Sequence, residues 1–190
     1  MDIFTVIKER RSCRSFLADP VQDKDIEAVL GAAINAPSPI NGQPWNFVVV
    51  TENATKEKIY NEAVRCRNHL LEKSGWKWLG RYDVEFLKTV PVMICVLGDP
   101  KKSGADTFME GGPGAWRDAC GAAIQNLMLA AHSLGLASLW FTMFDKANCN
   151  GILGITEVIF PIGIVCLGKA AAPIAAVPRK DLKEVVRYIR

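Results

Sequence analysis

Apolar residues return at helical spacing in two early stretches of the chain. Ile3, Phe4, Val6 and Ile7 interleave with charge between Asp2 and Glu9, and Ile26, Val29, Leu30 and Ala33 share one face of Asp23–Ala33, so both stretches predict amphipathic helices. Asp19-Pro20 turns the chain between them. The second helix has to stop before Pro37, because a proline disfavours helical geometry in the residue ahead of it. The pattern then changes period. Residues 47–51 are rich in β-branched side chains and predict a strand, followed by a helix starting near Thr55. Residues 90–97, 139–144 and 162–167 predict three further strands, the first with Pro91 near its start. A Gly-rich loop at 101–114 and a short charged helix at 181–189 complete the pattern. A loop of that length in a compact domain is usually functional or mobile.

One segment is apolar on almost every face. Residues 118–134 predict a helix buried on most sides, which is more cover than a domain of this size usually provides for itself. Residues 120–144 carry no charge apart from what His132 can hold, and the run is long enough to span a bilayer. Gln125, Asn126, His132 and Ser133 would then have to sit in lipid, and Gly135 is a good helix terminator. The segment is therefore read as a protein-buried helix followed by a strand. Strands separated by helices, with long connections and no internal repeat, predict an α+β sandwich around one mixed sheet. With 190 residues, 49% of them hydrophobic, the chain supports one core, in a single domain over residues 1–190.

Charge and cysteine content narrow the function classes. A net charge of +3, with no basic stripe carrying interleaved aromatics, argues against a nucleic-acid partner. The six cysteines contain no Cys-x-x-Cys pair and there are only two histidines, so no zinc ribbon, iron–sulfur run or local metal site can be written. Cys95 and Cys166 lie in apolar runs, as small core residues do, and all six are expected to be reduced thiols. His132 reads as a hydrogen-bonded core or interface residue. The early acid and the charged Lys8-Glu9-Arg10 leave no signal-peptide apolar region, so a cytoplasmic protein without a membrane anchor is expected.

Three polar segments remain that the core does not need. Arg10-Arg11-Ser12-Cys13-Arg14 places three guanidiniums and a hydroxyl within five residues, which suits a phosphate and equally suits a solvated basic turn after a helix. In Pro37-Ser38-Pro39-Ile40-Asn41-Gly42-Gln43-Pro44-Trp45 the prolines restrict the backbone and leave Ser38, Asn41 and Gln43 as preorganised polar groups, with Gly42 free for close approach or a positive φ. An ordinary surface turn ending in a structural tryptophan has the same composition. Pro178-Arg179-Lys180 adds two more cations near the far end of the chain.

Taken with Asp118, Gln125-Asn126-Leu127, Ala130-Ala131 and Leu134-Gly135-Leu136, these segments resemble the nitroreductase family of FMN-dependent oxidoreductases over nearly the whole chain. The resemblance implies a dimeric α/β sandwich whose central mixed sheet is mainly antiparallel and flanked by helices. It also implies a homodimer, with long central helices packed together and FMN at the subunit interface. By resemblance, Arg10 and Ser12 hold the phosphate, with Arg11 beside them, and Arg179 and Lys180 are the terminal phosphate contacts. Arg14 approaches the pyrimidine end of the ring, where a fixed cation favours reduction. Pro37, Ser38, Pro39, Asn41 and Gln43 lie against the flavin from the partner, and Thr142 and Met143 stand where backbone amides approach N5. The family pattern there often has an acidic residue followed by glycine, from which this sequence departs. Trp76, Trp78 and Phe108 suit either the mouth of the site or local packing, and the 101–116 loop carries no recognisable substrate signature.

No side chain presents itself as a covalent nucleophile or an obligatory acid, which fits a site where the flavin carries the chemistry. The implied activity is ping-pong hydride transfer from NADH or NADPH to a nitroaromatic, a quinone or a related electron-poor acceptor. A flavin-binding sensor or storage protein, a reductive dehalogenase and an oxygen-dependent flavoenzyme are the alternatives.

Overall fold

The computed structural model describes residues 1–190. Four strands, β1 (Trp45–Val50), β2 (Val92–Gly98), β3 (Ala137–Phe141) and β4 (Phe160–Gly168), form one sheet in the order β1-β2-β4-β3. All three pairings are antiparallel, with Val48 opposite Cys95, Cys95 opposite Ile164, and Leu139 opposite Cys166. The expected mixed sheet is thus antiparallel in its strands. Its parallel component is a single bridge from Ser12 to Ser138 at the β3 edge.

Both faces of this sheet are covered, which explains why β2 reads as a continuous apolar run: all seven of its residues are buried. Alternation sorts the strand residues into two cores. Val92, Ile94, Val96, Val165 and Leu167 face α2 (Asp23–Ala33) and α5 (Ala115–Ser133). Met93, Cys95, Leu139, Phe141, Ile164 and Cys166 face the opposite layer, which includes Ile59 and Ala63 of α3 (Asn53–Ser74) and Phe86 and Leu87 of α4 (Phe86–Thr89). Cys149 joins that layer from α6 (Lys146–Leu153). The result is an α+β sandwich of helix, sheet and helix layers. The cysteines are free thiols, and burial pushes those of Cys120 and Cys149 up to about 12.

Helix α1 (Ile3–Glu9) is capped by Asp2, whose carboxylate accepts the amides of Phe4 and Thr5. The apolar segment at 118–134 is α5 and begins three residues earlier; no helix of the chain is long and apolar enough to cross a membrane. It stops where glycine was expected to stop it. Gly135 has a φ of 75°, its amide bonds to the His132 carbonyl, and the Leu136 amide bonds to the Ala131 carbonyl. Along the sheet face of α5 the indole of Trp140 lies so close to Gly163 that a Cβ there would collide with its Nε1.

Other boundaries moved. Strand β3 ends at Phe141, leaving Thr142 and Met143 in the turn that follows it. The loop after β2 contains two short 3₁₀ turns, Pro100–Lys102 and Ala105–Phe108. The terminal helix shrinks to α7 (Leu182–Val185), because residues 171–190 bury no apolar face against their own chain. The short helices α4 and α6 carry too few periodic positions to be read from sequence.

Candidate functional site

Helix α1 ends at Arg10, and the segment after it runs along the sheet edge. The Cys13 amide donates to the Ser138 carbonyl at 3.0 Å, and the Ser12–Ser138 bridge is parallel, so residues 10–14 proceed in the same direction as β3. Arg10 therefore lies by the start of the strand, and Arg14 is carried up to about 13 Å further along the edge. This register sets two distinct ends of one elongated surface.

At the first end is a cavity of 410 Å³ lined by Glu9, Arg10 and Arg11, by the turn after α5, and by residues 170–174. Arg10 Nε and Nη1 and Arg11 Nε are buried without a hydrogen-bond partner. Neither guanidinium is in an ion pair, and Arg11 satisfies its Nη1 only on the carbonyls of Lys8 and Arg10. Burial lowers the pKa of Arg10, and the charges of Arg11 and Arg179 lower it further, so the third cation comes from the far end of the chain. Arg10 and Arg11, with shielded donors and no acidic partner although Glu9 lines the same cavity, form a chemistry suited to an anion, while Arg179 is exposed and its Nη1 donates to the carbonyls of Val177 and Pro178. Lys180, next to Arg179, forms no hydrogen bond or ion pair. Two residues with no sequence motif, His132 and Ser138, line the same cavity.

At the second end Arg14 is exposed, its Nε 3.4 Å from the Tyr82 hydroxyl and its guanidinium carbon 5.8 Å from the Tyr82 ring centre. The Tyr82 and Trp78 rings meet at nearly a right angle and Trp78 stacks with Trp76, so an aromatic surface continues from Arg14. Thr142 is exposed, with its carbonyl accepting the Phe144 amide, while Met143 packs into the core on the α3 side of the sheet. Tyr82 was not singled out from the sequence. A lone tyrosine 68 residues from Arg14 gives no local signal.

The proline loop lies elsewhere in the subunit. Pro37, Ser38 and Pro39 line a separate cavity of 270 Å³ with Ala115, Asp118, Ala119 and Ala122, near the beginning of α5. His132 and Gly135, beside the arginines, are at the helix's other end, about 25 Å away at the rise of an α-helix. The loop is strained. Ile40, Asn41 and Gln43 all have positive φ, between 46° and 54°, a conformation that is a genuine outlier for a β-branched residue. Ser38 Oγ accepts the Gln43 amide at 3.1 Å and closes the turn. Gly42 has a φ of −69°, so its glycine serves close approach instead: a Cβ would sit 3.1 Å from the Pro39 carbonyl and 3.2 Å from that of Lys102.

The model of a family described as "Nitroreductase family" matches residues 7–169. A relative from Methanothermobacter thermautotrophicus, named as a putative NADH dehydrogenase/NAD(P)H nitroreductase, is 31% identical over 90% of this chain and 78% of its own. An iodotyrosine deiodinase from Thermotoga neapolitana is 27% identical over 85% and 87% of the two chains. Among solved structures, an oxidized iodotyrosine deiodinase bound to FMN and 3-iodo-L-tyrosine superposes with a TM-score of 0.84 over the full length of both chains, at 23% identity.

Proposed function

The chain belongs to the nitroreductase family, and from that premise we propose that it is an FMN-dependent oxidoreductase that takes hydride from NADH or NADPH and passes it to a small electron-poor acceptor. The observation that carries this reading is the pair of Arg10 and Arg11, whose shielded donors have no hydrogen-bond partner and no acidic partner, at one end of a strand edge whose other end holds Arg14, with the charge of Arg179 felt at Arg10. The donor set fits the cofactor: a dianionic phosphate at the first end and a cation for the ring at the second.

When bound, FMN supplies the two-electron chemistry, accepting hydride from the nicotinamide and releasing it to the acceptor. The chain supplies position and field. Arg10, Arg11, Ser12, Arg179 and Lys180 hold the phosphate and fix the cofactor along β3. Arg14 keeps a positive charge where negative charge gathers on reduction and so favours it. Thr142 and Met143, just past the end of β3, would present backbone amides towards flavin N5.

The proline loop belongs to the same reading through a second copy. Its distance from Arg10 within one subunit is too great for one flavin, but two copies packed along antiparallel α5 helices would bring each loop to the other's arginines. A face is free for this: Ala115, Asp118, Ala122, Gln125 and Leu129 lie at helical spacing on the side of α5 that its own chain leaves partly uncovered. Phe4, 80% exposed on α1, and apolar residues of 174–189, such as Val177 and Ile189, are further apolar surface that the chain does not cover itself.

The deciding experiment is anaerobic absorbance of the FMN-loaded protein. Addition of NADH or NADPH is expected to bleach the flavin without any acceptor present, and initial rates with a quinone are expected to give the parallel lines of a ping-pong mechanism. No bleaching by either nucleotide would leave a flavin-binding sensor or storage protein. A second reading, reductive dehalogenation, is supported by similarity to the Thermotoga deiodinase; release of iodide from 3-iodo-L-tyrosine by the reduced protein, faster than quinone reduction, would select it.

A further inference from the structure

The arginine cavity contains two more polar groups whose state the fold leaves unexplained. Ser138 is 2% exposed, between Ala137 and Leu139 on β3, and its Oγ has no hydrogen-bond partner. His132 sits in the last turn of α5, half-buried, and its Nε2 is also shielded without a partner. Both residues line the cavity together with Arg10 and Arg11. A hydroxyl buried in an apolar strand and left unpaired costs stability that alanine would not, so its presence asks for a partner from outside the chain. An imidazole nitrogen removed from water beside two guanidiniums makes the same demand.

We propose that Ser138 and His132 are phosphate-binding residues, completing with Arg10 and Arg11 a receptor for the monoester phosphate of the flavin. This rests on the FMN reading above and adds two contacts that no motif in the sequence marks. A phosphate monoester has three terminal oxygens, more acceptors than the guanidiniums of one short segment can reach from one side. Ser138 donates through its hydroxyl from the strand, and His132, in its Nε2–H form, donates from the helix end. The two approach from the sheet and from α5, while the arginines approach from the segment after α1. Of the other charged groups around the cavity, Glu9 lines it and Arg179 reaches Arg10 by its field. Glu9 is the one acid that lines the cavity and pairs with none of the cations.

The test uses the whole protein, stripped of flavin and titrated with FMN and with riboflavin, which lacks the phosphate. Fluorescence quenching gives both dissociation constants for the wild type, Ser138→Ala, His132→Phe and His132→Gln. The expected result is that Ser138→Ala and His132→Phe each weaken FMN by about tenfold while riboflavin moves less than about twofold, and that His132→Gln, which keeps a donor, recovers part of the loss. If both variants leave the preference for FMN over riboflavin unchanged, water alone holds these atoms and the proposal is wrong. If they weaken FMN and riboflavin equally, the two residues support the fold and not the phosphate, which also overturns it. A wild type that binds both flavins equally would instead remove the phosphate reading of the arginines. A failure of the premise is thus separable from a failure of the inference.

Discussion

Arg10 and Arg14 stand on one five-residue segment but in different surroundings, and their variants separate accordingly. Arg10 is half-buried, with two shielded donors and the charges of Arg11 and Arg179 acting on it, so Arg10→Ala removes a charge-assisted phosphate contact, with an expected loss of about 1.5–3 kcal/mol in FMN affinity and little change in the reactivity of what remains bound. Arg14 is exposed and leans on Tyr82, so Arg14→Ala is expected to lower the flavin potential by about 30 mV, the two-electron equivalent of about 1.4 kcal/mol. Equilibrium titration and potentiometry read the two effects independently; an unchanged affinity for Arg10→Ala or an unchanged potential for Arg14→Ala would reject the role concerned. The arginines stood out in the sequence because their density is local. The contacts proposed for Ser138 and His132 have no such signal, since a single hydroxyl in an apolar strand and a single histidine in an alanine-rich helix are ordinary until their neighbours are known.

Between elements, the most heavily bonded side chain lies outside the candidate site. Glu62 of α3, 7% exposed, accepts two bonds from Arg65, one from Asn148, one from the Asp145 amide and one from the Cys66 thiol, and so ties α3 to the start of α6. The bond from Arg65 and those that follow hold its carboxyl down to about 2 from an ordinary 4.5. Because the folded-state value is the depressed one, the stabilisation is complete above the ordinary value and is lost as pH falls from 4.5 towards 2. Glu62→Gln is expected to cost about 2 kcal/mol at neutral pH, a gap that closes across that acid range in denaturant titrations. A gap independent of pH would mean that the carboxylate charge does not hold the two helices.

The same scale shows why helices α2 and α5 and the strands were readable while α6 was not. Ile26, Val29 and Ala33 repeat on one buried face, as a period of 3.6 requires, and β2 is apolar throughout because both its faces are covered. The eight residues of α6 bury only Cys149 and are fixed by Asp145 at their cap and by Glu62 from a helix more than 80 residues earlier. Its cause is tertiary, and no window of local sequence contains it. The loop at 37–43 is an intermediate case. Its prolines announced rigidity, but the strain fell on Ile40, Asn41 and Gln43 and not on the glycine between them.

For the whole molecule, the separation of the two candidate half-sites along α5 makes a prediction about assembly that neither half makes alone. If Asn41 serves the flavin held by the other subunit, a mixed dimer with Arg10→Ala in one chain and Asn41→Ala in its partner has one site lacking both groups and one intact site. If Asn41 serves its own subunit, each site lacks one group and none is intact. The complementary pairing, a doubly substituted chain with a wild-type one, reverses the outcome: the shared arrangement damages both sites, and the self-contained one leaves a site whole. Differently tagged chains, co-expressed and purified as mixed dimers, are expected to show one wild-type FMN site per dimer in the first pairing and none in the second. Scattering should give a dimer in every case, since neither substitution touches the stripe from Ala115 to Leu129. A monomer retaining one FMN per chain, or the opposite pattern of intact sites, would show that the proline loop does not complete its partner's site and would require another role for its strained backbone.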